Sequence, residues 1–430
     1  MKVSSNLKKL AKEFEKRNHH LYFVGGFVRD SLLGYNASDI DITSDVKIDE
    51  VESIAQALNF DCKIINKHLG TILISTPKEN YEYTCFRIES YPSGVHSPNS
   101  VEFVDDINLD MLRRDFSINA IYYDIHNNQI IDLCNGQKDL ALGIIRTVNT
   151  PMITLKDDGV RILRAIRFAS TLNYKIDKKT KRALKFYREN LINISKERIL
   201  KEIKLGVVAD LKYGIANTQF WDNIIELNLL PLIFNHSLHR MRKINKKEIL
   251  NFYTRSESAR LTDFYFIVLK NYITKYTKHA QLSFAINMLL GMDGIKESTA
   301  TIRLLEKLFL IYENIEYNID ALNASINYLG LTAENKDIIA SHLSPKAMER
   351  LNSNILLVEG KNLPTSIEQL KISAKDMISQ GIEPRYISTI LSTLYNQVIE
   401  LKVNNKKSDL LNLALDINKT FANLKFKEKK

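Results

Sequence analysis

Cysteine is scarce. The 430 residues hold three, Cys62, Cys85 and Cys134, odd in number and without a CxxC pair. That fits a reducing cytoplasm and makes a cysteine zinc site a poor expectation. Long apolar runs are missing as well. Stretches such as FYFIVL fall far short of a bilayer span, so no transmembrane helix is expected. The opening MKVSSNLKKLAKEFEKRNHHLYFV has no apolar h-region and mixes Glu with Lys in amphipathic helical spacing, which argues against a signal or transit peptide. No repeat of fixed period occurs. The expectation is a cytoplasmic protein with no membrane contact, and no protein partner is inferred.

What is present is an ordinary globular composition, 45% hydrophobic and 26% charged, long enough for two or more packed domains. The net charge of +10 comes from lysine-rich segments spread along the chain. It fits lysine-rich drift that keeps the protein soluble, or a polyanion bound over a long surface. Charge alone favours neither.

Residues from about 21 to 150 read as mixed α/β. LYFVGG is a strand running into a turn, and FVRDSLLG a short helix stopped by Gly34. DIDIT alternates as a strand, DEVESIAQALN has helical spacing, and GTILIST, YEYTCFRI and SVEFVD are β-rich. Beyond about residue 150 strand signals vanish and helical periodicity continues to the end. The expected plan is an α/β head followed by an elongated all-α neck, body and tail.

Within YFVGGFVRDSLLGYNASDIDITSD, Asp39 and Asp41 are two apart on a strand-like run. Both carboxylates then leave one face while Ile40 and Ile42 take the other. Such crowding is relieved when divalent cations sit between the charges. Mg²⁺ takes one or two carboxylates plus phosphate oxygens, and two such ions stabilise both oxygens of an in-line phosphoryl displacement. Alone, a D-x-D pair is more often a turn or a solvated strand edge. Gly25 and Gly26 add a turn whose N–H groups can approach a phosphate, or a tight turn and nothing more. Arg29, one turn into the helix, can reach the same triphosphate. No third glycine and no βαβ repeat follow, which disfavours a dinucleotide site. Together these features favour nucleotidyl transfer. Glu82, alternating with Thr84 and Phe86 on a neighbouring strand, is a candidate third metal ligand or a solvated strand residue.

Two further clusters follow. RRDFSINA offers Arg113, Arg114, Asp115 and Asn119, with Asp115 and Asn119 spaced to share a helical face. A surface Arg–Asp network is its bland counterpart. In DDGVRILRAIRF, Asp158 and Arg161 are three apart, which would put them on one helical face. A carboxylate only accepts hydrogen bonds and a guanidinium only donates them. Cytosine and adenine both present an amine donor beside a ring-nitrogen acceptor, whereas uracil and guanine present N–H beside a carbonyl. One Asp–Arg pair can therefore accept C and A and refuse U and G. The alternative is Asp157 or Asp158 capping an amphipathic helix that carries Arg161, Arg164 and Arg167. His236 and His239 lack an acidic partner in their segment, and Trp221 reads as core.

These motifs resemble, in order, those of the class II tRNA nucleotidyltransferase / poly(A) polymerase family. FVGGFVRDSLLGYNASDIDITSD is similar to its first motif, DMLRRDFSINAIYYD to its second, and DDGVRILRAIRFASTLNYKID to its nucleobase-reading motif. ISKERILKEIKLG is similar to its neck motif, and the segment from ISAKDMISQGIEPRYIST onward to the tail of CCA-adding members from low-GC Gram-positive bacteria. The resemblance implies a DNA polymerase beta-like mixed-sheet nucleotidyltransferase head at 1–145. A helical neck at 146–208, a body at 209–320 and a tRNA-binding tail at 321–430 would follow. It implies Asp39 and Asp41 as catalytic metal ligands for Mg²⁺. Gly25, Gly26, Arg29, Arg114, Asp115, Asn119, Asp158, Arg161, Arg164 and Arg167 would bind nucleotide, Arg114 at the phosphates and Asp115 near the ribose.

The activity implied is template-independent addition of CCA to the tRNA 3′ end from CTP and ATP, releasing pyrophosphate. A CC-adding, A-adding or poly(A) polymerase enzyme on the same scaffold is one alternative, and a non-catalytic RNA-binding relative another. Bacterial poly(A) polymerases carry a GRRFR-like strand where this chain has HLGTILIST, and a binding-only protein has little use for crowded carboxylates. Departures are Asp157-Asp158-Gly159 where the family has Glu-Asp-Pro, EPRYIST in place of a Gly-rich turn, and Gly94, Val95 and His96 in the loop that usually carries Asp and Arg. The undeleted spacing from Arg87 to Arg113 favours a full CCA-adding enzyme.

Overall fold

The computed structural model describes residues 1–430 apart from 2, 37–38, 91–98, 235–243, 274–278, 292–293 and 429–430, so Gly94, Val95, His96, His236 and His239 lie outside the described residues. The chain divides into two compact units, 1–243 with 287–298 and 244–286 with 299–430.

The first unit opens with α1 (Ser5–Glu15), whose first turn is capped by the Ser4 hydroxyl accepting from Leu7 N–H. A seven-stranded mixed sheet follows, in spatial order β3-β4-β5-β2-β1-β8-β9. Its strands are β1 (Tyr22–Phe23), β2 (Ile40–Ser44), β3 (Asp61–Asn66), β4 (Thr71–Ser75), β5 (Asn80–Cys85), β8 (Tyr122–Asp124) and β9 (Gln129–Ile131). Only β2 and β5 run parallel within it; the other neighbours are antiparallel. Helix α2 (Gly26–Leu32) joins β1 to β2, and α3 (Ile48–Ala57) joins β2 to β3. Strands β6 (Arg87–Ser90) and β7 (Ser100–Phe103) form a separate antiparallel pair.

Period-2 alternation decides which way β2 faces. Ile42 is buried among Leu10, Phe14, Val28, Val51, Ile74 and Tyr83, with Ile40 packed against the same cluster. Asp41, between them, leaves the opposite face. A second cluster of Val24, Phe86, Met111, Ala120 and Tyr122 forms apart from the first.

After the sheet come α4 (Ile107–Leu112), α5 (Gly136–Leu142), α6 (Pro151–Asp157), α7 (Val160–Leu172), α8 (Lys178–Tyr187), α9 (Lys196–Gly206), α10 (Gln219–Glu226) and α11 (Leu230–Ile233). Contrary to the sequence expectation, strand structure does not end at about 150. Asn173 ends α7 in the left-handed conformation, and β11 (Lys175–Ile176) then pairs in parallel with β10 (Ile144–Ile145). Two residues are too few to leave an alternating pattern in a sequence.

The second unit is helical among its described residues: α12 (Lys246–Tyr253), α13 (Glu257–Ile273), α15 (Thr299–Tyr317), α16 (Ala321–Leu329), α17 (Ala333–His342), α18 (Pro345–Gly360), α19 (Ala374–Ser379), α20 (Pro384–Ile399) and α21 (Lys407–Glu428), with α14 (His279–Leu290) spanning the division. No described helix is long and apolar enough to cross a membrane.

Buried ions lock α12, α13 and α17 together. His342 Nε2 lies 2.9 Å from Asp263 Oδ1, and its Nδ1 lies 3.7 Å from Glu248 Oε1. Lys270 Nζ donates to Glu248 at 2.7 Å, while Arg255 Nε donates to Asp263 at 3.1 Å and also pairs with Asp337. Burial disfavours charge on His342, but bonding to Asp263 and Glu248 outweighs it and raises the imidazole above its ordinary value. Glu248 is likewise partly buried, yet His342 and Lys270 bring it down to about 2. A raised His contributes stability below its unfolded value and loses it as pH rises through the folded value. A lowered Glu contributes above its unfolded value and loses it as pH falls. The contributions of both groups are therefore fully present only between about pH 4.5 and pH 6.5. His342→Gln is expected to cost about 3 kcal/mol at pH 6 and less at pH 8.5, measured by urea unfolding at both pH values. An equal loss at the two would mean the imidazole is neutral in the fold.

Candidate active site

The glycine turn sits directly on Asp41. Val24 N–H donates to Asp41 O at 3.1 Å, extending the β1–β2 ladder into the turn. Gly25 then adopts φ +74°, and a Cβ built there would stand 3.2 Å from Asp41 Oδ2. A side chain there is strained by the backbone conformation, and the Asp41 carboxylate would have to give by a few tenths of an ångström. Gly25→Ala, which must move that carboxylate or the turn, is expected to lower the nucleotidyl transfer anticipated from the sequence by about tenfold. The control is Gly34→Ala, at an equally left-handed glycine (φ +77°) with open space around it, which should lose stability but not specific activity.

Asp41 pairs in parallel register with Glu82. Burial, then the Glu82 charge and that of Asp39, push the Asp41 carboxyl up to about 6, while Arg114 and Arg29 pull the other way. A glycine turn, two carboxylates and two arginines thus act on the Asp41 carboxyl. Asp39 departs from expectation. It precedes β2 and is exposed, because the ladder with β5 begins at Ile40, paired with Tyr81. Glu82 is also exposed. Among the described residues no three His, Cys, Asp or Glu side chains are gathered into a preformed cation cage. A half-buried carboxylate with two further acidic side chains acting on it nevertheless suits a hard divalent cation that completes its shell with phosphate and water.

Arg29 is 3% exposed. Its Nε donates to Asp30 at 2.7 Å and its Nη1 to Asn119 Oδ1 at 2.6 Å, with Nη2 2.6 Å from Asp30. Asn119 in turn donates to Asp115 at 3.2 Å. Asp115 and Asn119 therefore meet, though not on one helix face: Phe116 between them is extended, and only Ser117–Asn119 form a 3-10 turn. Arg164 reaches the other Asp115 oxygen through Nε at 2.7 Å and Nη2 at 2.6 Å. Burial would raise the Asp115 carboxyl, but Arg164 and Asn119 hold it below the usual range.

Arg114 is anchored by Asp110, which opens the second motif but was given no role in the sequence reading. Buried Asp110 accepts from Arg113 Nε at 2.8 Å, Arg114 Nη2 at 2.8 Å, Tyr122 Oη at 2.7 Å and Arg87 N–H at 3.3 Å. Burial opposes its charge, but the two guanidiniums hold it well below the carboxylate range. The i,i+3 and i,i+4 spacing to Arg113 and Arg114 was the available signal.

Asp158 and Arg161 are 3.8 Å apart and both buried. They do not share a helix, since Asp158 is an extended residue between α6 and α7. Its Oδ1 accepts from Val160 N–H at 2.9 Å, so it caps α7 as well as facing Arg161. Burial pushes its carboxyl up to about 6 despite Arg161. The Arg161 guanidinium donates to Thr154 O at 3.1 Å in α6 and to Arg113 O at 2.7 Å, at the end of α4. It also lines a cavity of 180 Å³ with Glu89, Arg113, Asn149, Thr154 and Asp157. Arg167 Nε donates to Glu202 in α9 at 2.7 Å. Glu202 and Phe168, like Asp110, lie inside the quoted motifs but were given no role there.

A glycine turn is thus seated on a sheet carboxylate, Asp41, and Arg29 and Arg114, from two separate motifs, pull on that carboxylate by charge. Residues 21–146 match the family described as the Poly A polymerase head domain. The CCA-adding enzyme of Lactobacillus helveticus is 41% identical over 194 residues, 45% of this chain and 47% of that protein, so the chain spans about half the length of that relative. The CCA-adding enzyme of Bacillus subtilis is 27% identical over 405 residues, 91% of this chain and 93% of that one. The crystal structure of the Bacillus stearothermophilus CCA-adding enzyme in complex with CTP shares the fold, with a TM-score of 0.64 at 19% identity over 98% of this chain and 100% of that one. The chain is thus similar to CCA-adding enzymes along most of its length, and to the Poly A polymerase head domain over residues 21–146.

Proposed function

We propose that this protein adds C, C and A, without a nucleic-acid template, to the 3′ end of tRNA, taking CTP and ATP as substrates in the cytoplasm. The observation that carries the reading is the buried Asp158–Arg161 pair at 3.8 Å, an acceptor beside a donor that matches the edges of C and A alike. In the reaction the terminal 3′-oxygen loses its proton and bonds to the α-phosphorus, the α–β phosphoanhydride bond breaks, and pyrophosphate leaves. Asp39 and Asp41, with Glu82 beside them, would hold Mg²⁺. Bound there, the cation supplies charge stabilisation to the attacking and leaving oxygens. Gly25 and Gly26 leave backbone room for phosphate, Arg29 and Arg114 bring positive charge to it, and Asp115 and Asn119 orient the ribose. Asp158 and Arg161 select the base, and Arg164 and Arg167 extend the cationic face of α7. An RNA partner is supported by α8, which exposes Lys178, Lys179, Arg182 and Lys185 beside Phe186, itself 69% exposed.

The test is incubation with Mg²⁺, CTP and ATP, singly and together, on tRNA ending before CCA, at C and at CC. Two cytidines followed by one adenosine is the expected product. Arrest after two cytidines would assign CC addition, long adenosine tails poly(A) synthesis, and bound but unextended tRNA a non-catalytic role.

A further inference from the structure

Three cations crowd one aromatic ring. The guanidinium carbons of Arg29, Arg164 and Arg167 lie 5.2, 5.3 and 4.4 Å from the Phe168 ring centre. The ring face attracts each cation, but the cations repel one another, so their spacing depends on the anions between and around them. On one side stands buried Glu202, whose Oε2 accepts from Arg167 Nε at 2.7 Å and whose Oε1 is 3.8 Å from Arg164 Nη1. On the other, Asp30 holds Arg29, and Lys212 Nζ lies 3.3 Å from Asp30 Oδ2. Tyr213, next in the chain, stacks on Tyr35 just beyond α2, with ring centres 4.1 Å apart at 13°.

Glu202 and Lys212 belong to one stretch, α9 and the 3-10 turn Ala209–Leu211 that follows it, and both elements pack against α7. Charged side chains form a series joined at its middle by the neutral Asn119 amide: Lys212, Asp30, Arg29, Asn119, Asp115, Arg164, Glu202, Arg167. Its first member and its penultimate one come from that single stretch.

We propose that residues 196–213 act as a clamp that sets the distance between Arg29 on the glycine-turn helix and the arginines of the base-reading helix, with Glu202 and Lys212 as positioning residues. Neither touches nucleotide; both act through the arginines. The proposal rests on the nucleotide-site reading above. Glu202 also keeps Arg164 and Arg167 from spreading into solvent before a triphosphate arrives, so binding starts from arginines already in place.

The test is steady-state addition to tRNA lacking CCA, with CTP and with ATP, for Glu202→Gln, Glu202→Asp, Lys212→Met, Arg164→Ala/Arg167→Ala and the triple variant. Glu202→Gln is expected to raise KM for both nucleotides roughly tenfold with a smaller change in kcat, and Glu202→Asp to recover part of it. Lys212→Met should raise KM about threefold. Because Lys212 is 53% exposed, that variant tests the clamp even if Glu202→Gln fails to fold. Once both arginines are alanine, Glu202→Gln should add no further rise in KM, whereas a merely structural glutamate would add its effect in full. If the double arginine variant raises KM while Glu202→Gln and Lys212→Met do not, the clamp is overturned and the site reading stands. If the double arginine variant itself leaves KM unchanged, the reading of those arginines fails and the clamp with it.

Discussion

Asp41→Asn is expected to abolish nucleotide addition while making the cation-free protein more stable. Losing a carboxylate that anchors the charge-stabilising cation removes several kcal/mol from the transition state, a fall in kcat on the order of 10³-fold or more. The stability effect has the opposite sign. The Asp41 carboxyl stands near 6 because burial and the Glu82 and Asp39 charges oppose its ionisation. A carboxyl raised above its unfolded value contributes stability at low pH and loses it as pH rises through the folded value. At about pH 8 without divalent cation, the ionised group therefore destabilises the fold by an amount on the order of 2 kcal/mol, which the neutral amide relieves. Thermal melts in a chelator should show Asp41→Asn above the wild type, and filter binding should show unchanged affinity for tRNA. Residual activity near wild type would remove Asp41 from the chemistry. A lower melting temperature would mean that Asp41 is stabilised by contacts other than those described.

Arg161→Ala carries the second large effect, on choice rather than rate. A site built to hydrogen-bond a particular edge rejects the wrong one strongly, because buried groups are otherwise left unpaired. Removing Arg161 is expected to cut the ratio of kcat/KM for CTP over UTP by about 10². Since the same guanidinium donates to the end of α4 and to the middle of α6, some stability goes too. Arg161→Lys, which keeps the charge but not the planar fork, separates the two effects. The pH dependence gives an independent check. The Asp158 carboxyl stands at about 6; below that it gains a proton and turns from acceptor into donor. Discrimination should fall as pH drops through about 6, and Asp158→Asn should abolish that dependence. Taking the ratio cancels the loss of overall rate that protonation of Asp41 brings. Selection untouched in Arg161→Ala would end the idea that this pair imitates a template base.

Much of the head could be read along the chain, because alternation and turn chemistry are properties of adjacent residues. Ile40 and Ile42 facing the core with Asp41 opposite, α2 ending before Gly34, and a glycine turn before the helix with Arg29 all follow from period and φ alone. The spacing of Asp158 and Arg161 likewise announced a pair, although the structure forms it across a helix start rather than along one helix. Asp39 was misplaced by one residue because a ladder begins where its neighbours begin, and Tyr81 on β5 settled that for Ile40.

Other features had no local trace. The pairing of Asp41 with Glu82, the anchoring of Arg114 by Asp110 with Tyr122, and the reach of Glu202 and Lys212 to arginines of other elements join residues far apart in the chain. The sequence by itself determined which residue types each motif offers and the elements of Gly25, Arg29 and Asp41, but not those of Asp39, Asp115 and Asp158. Only the tertiary structure decided which carboxylate meets which guanidinium. Ion pairing depends on distance in space, and packing of the elements, not order along the chain, sets that distance.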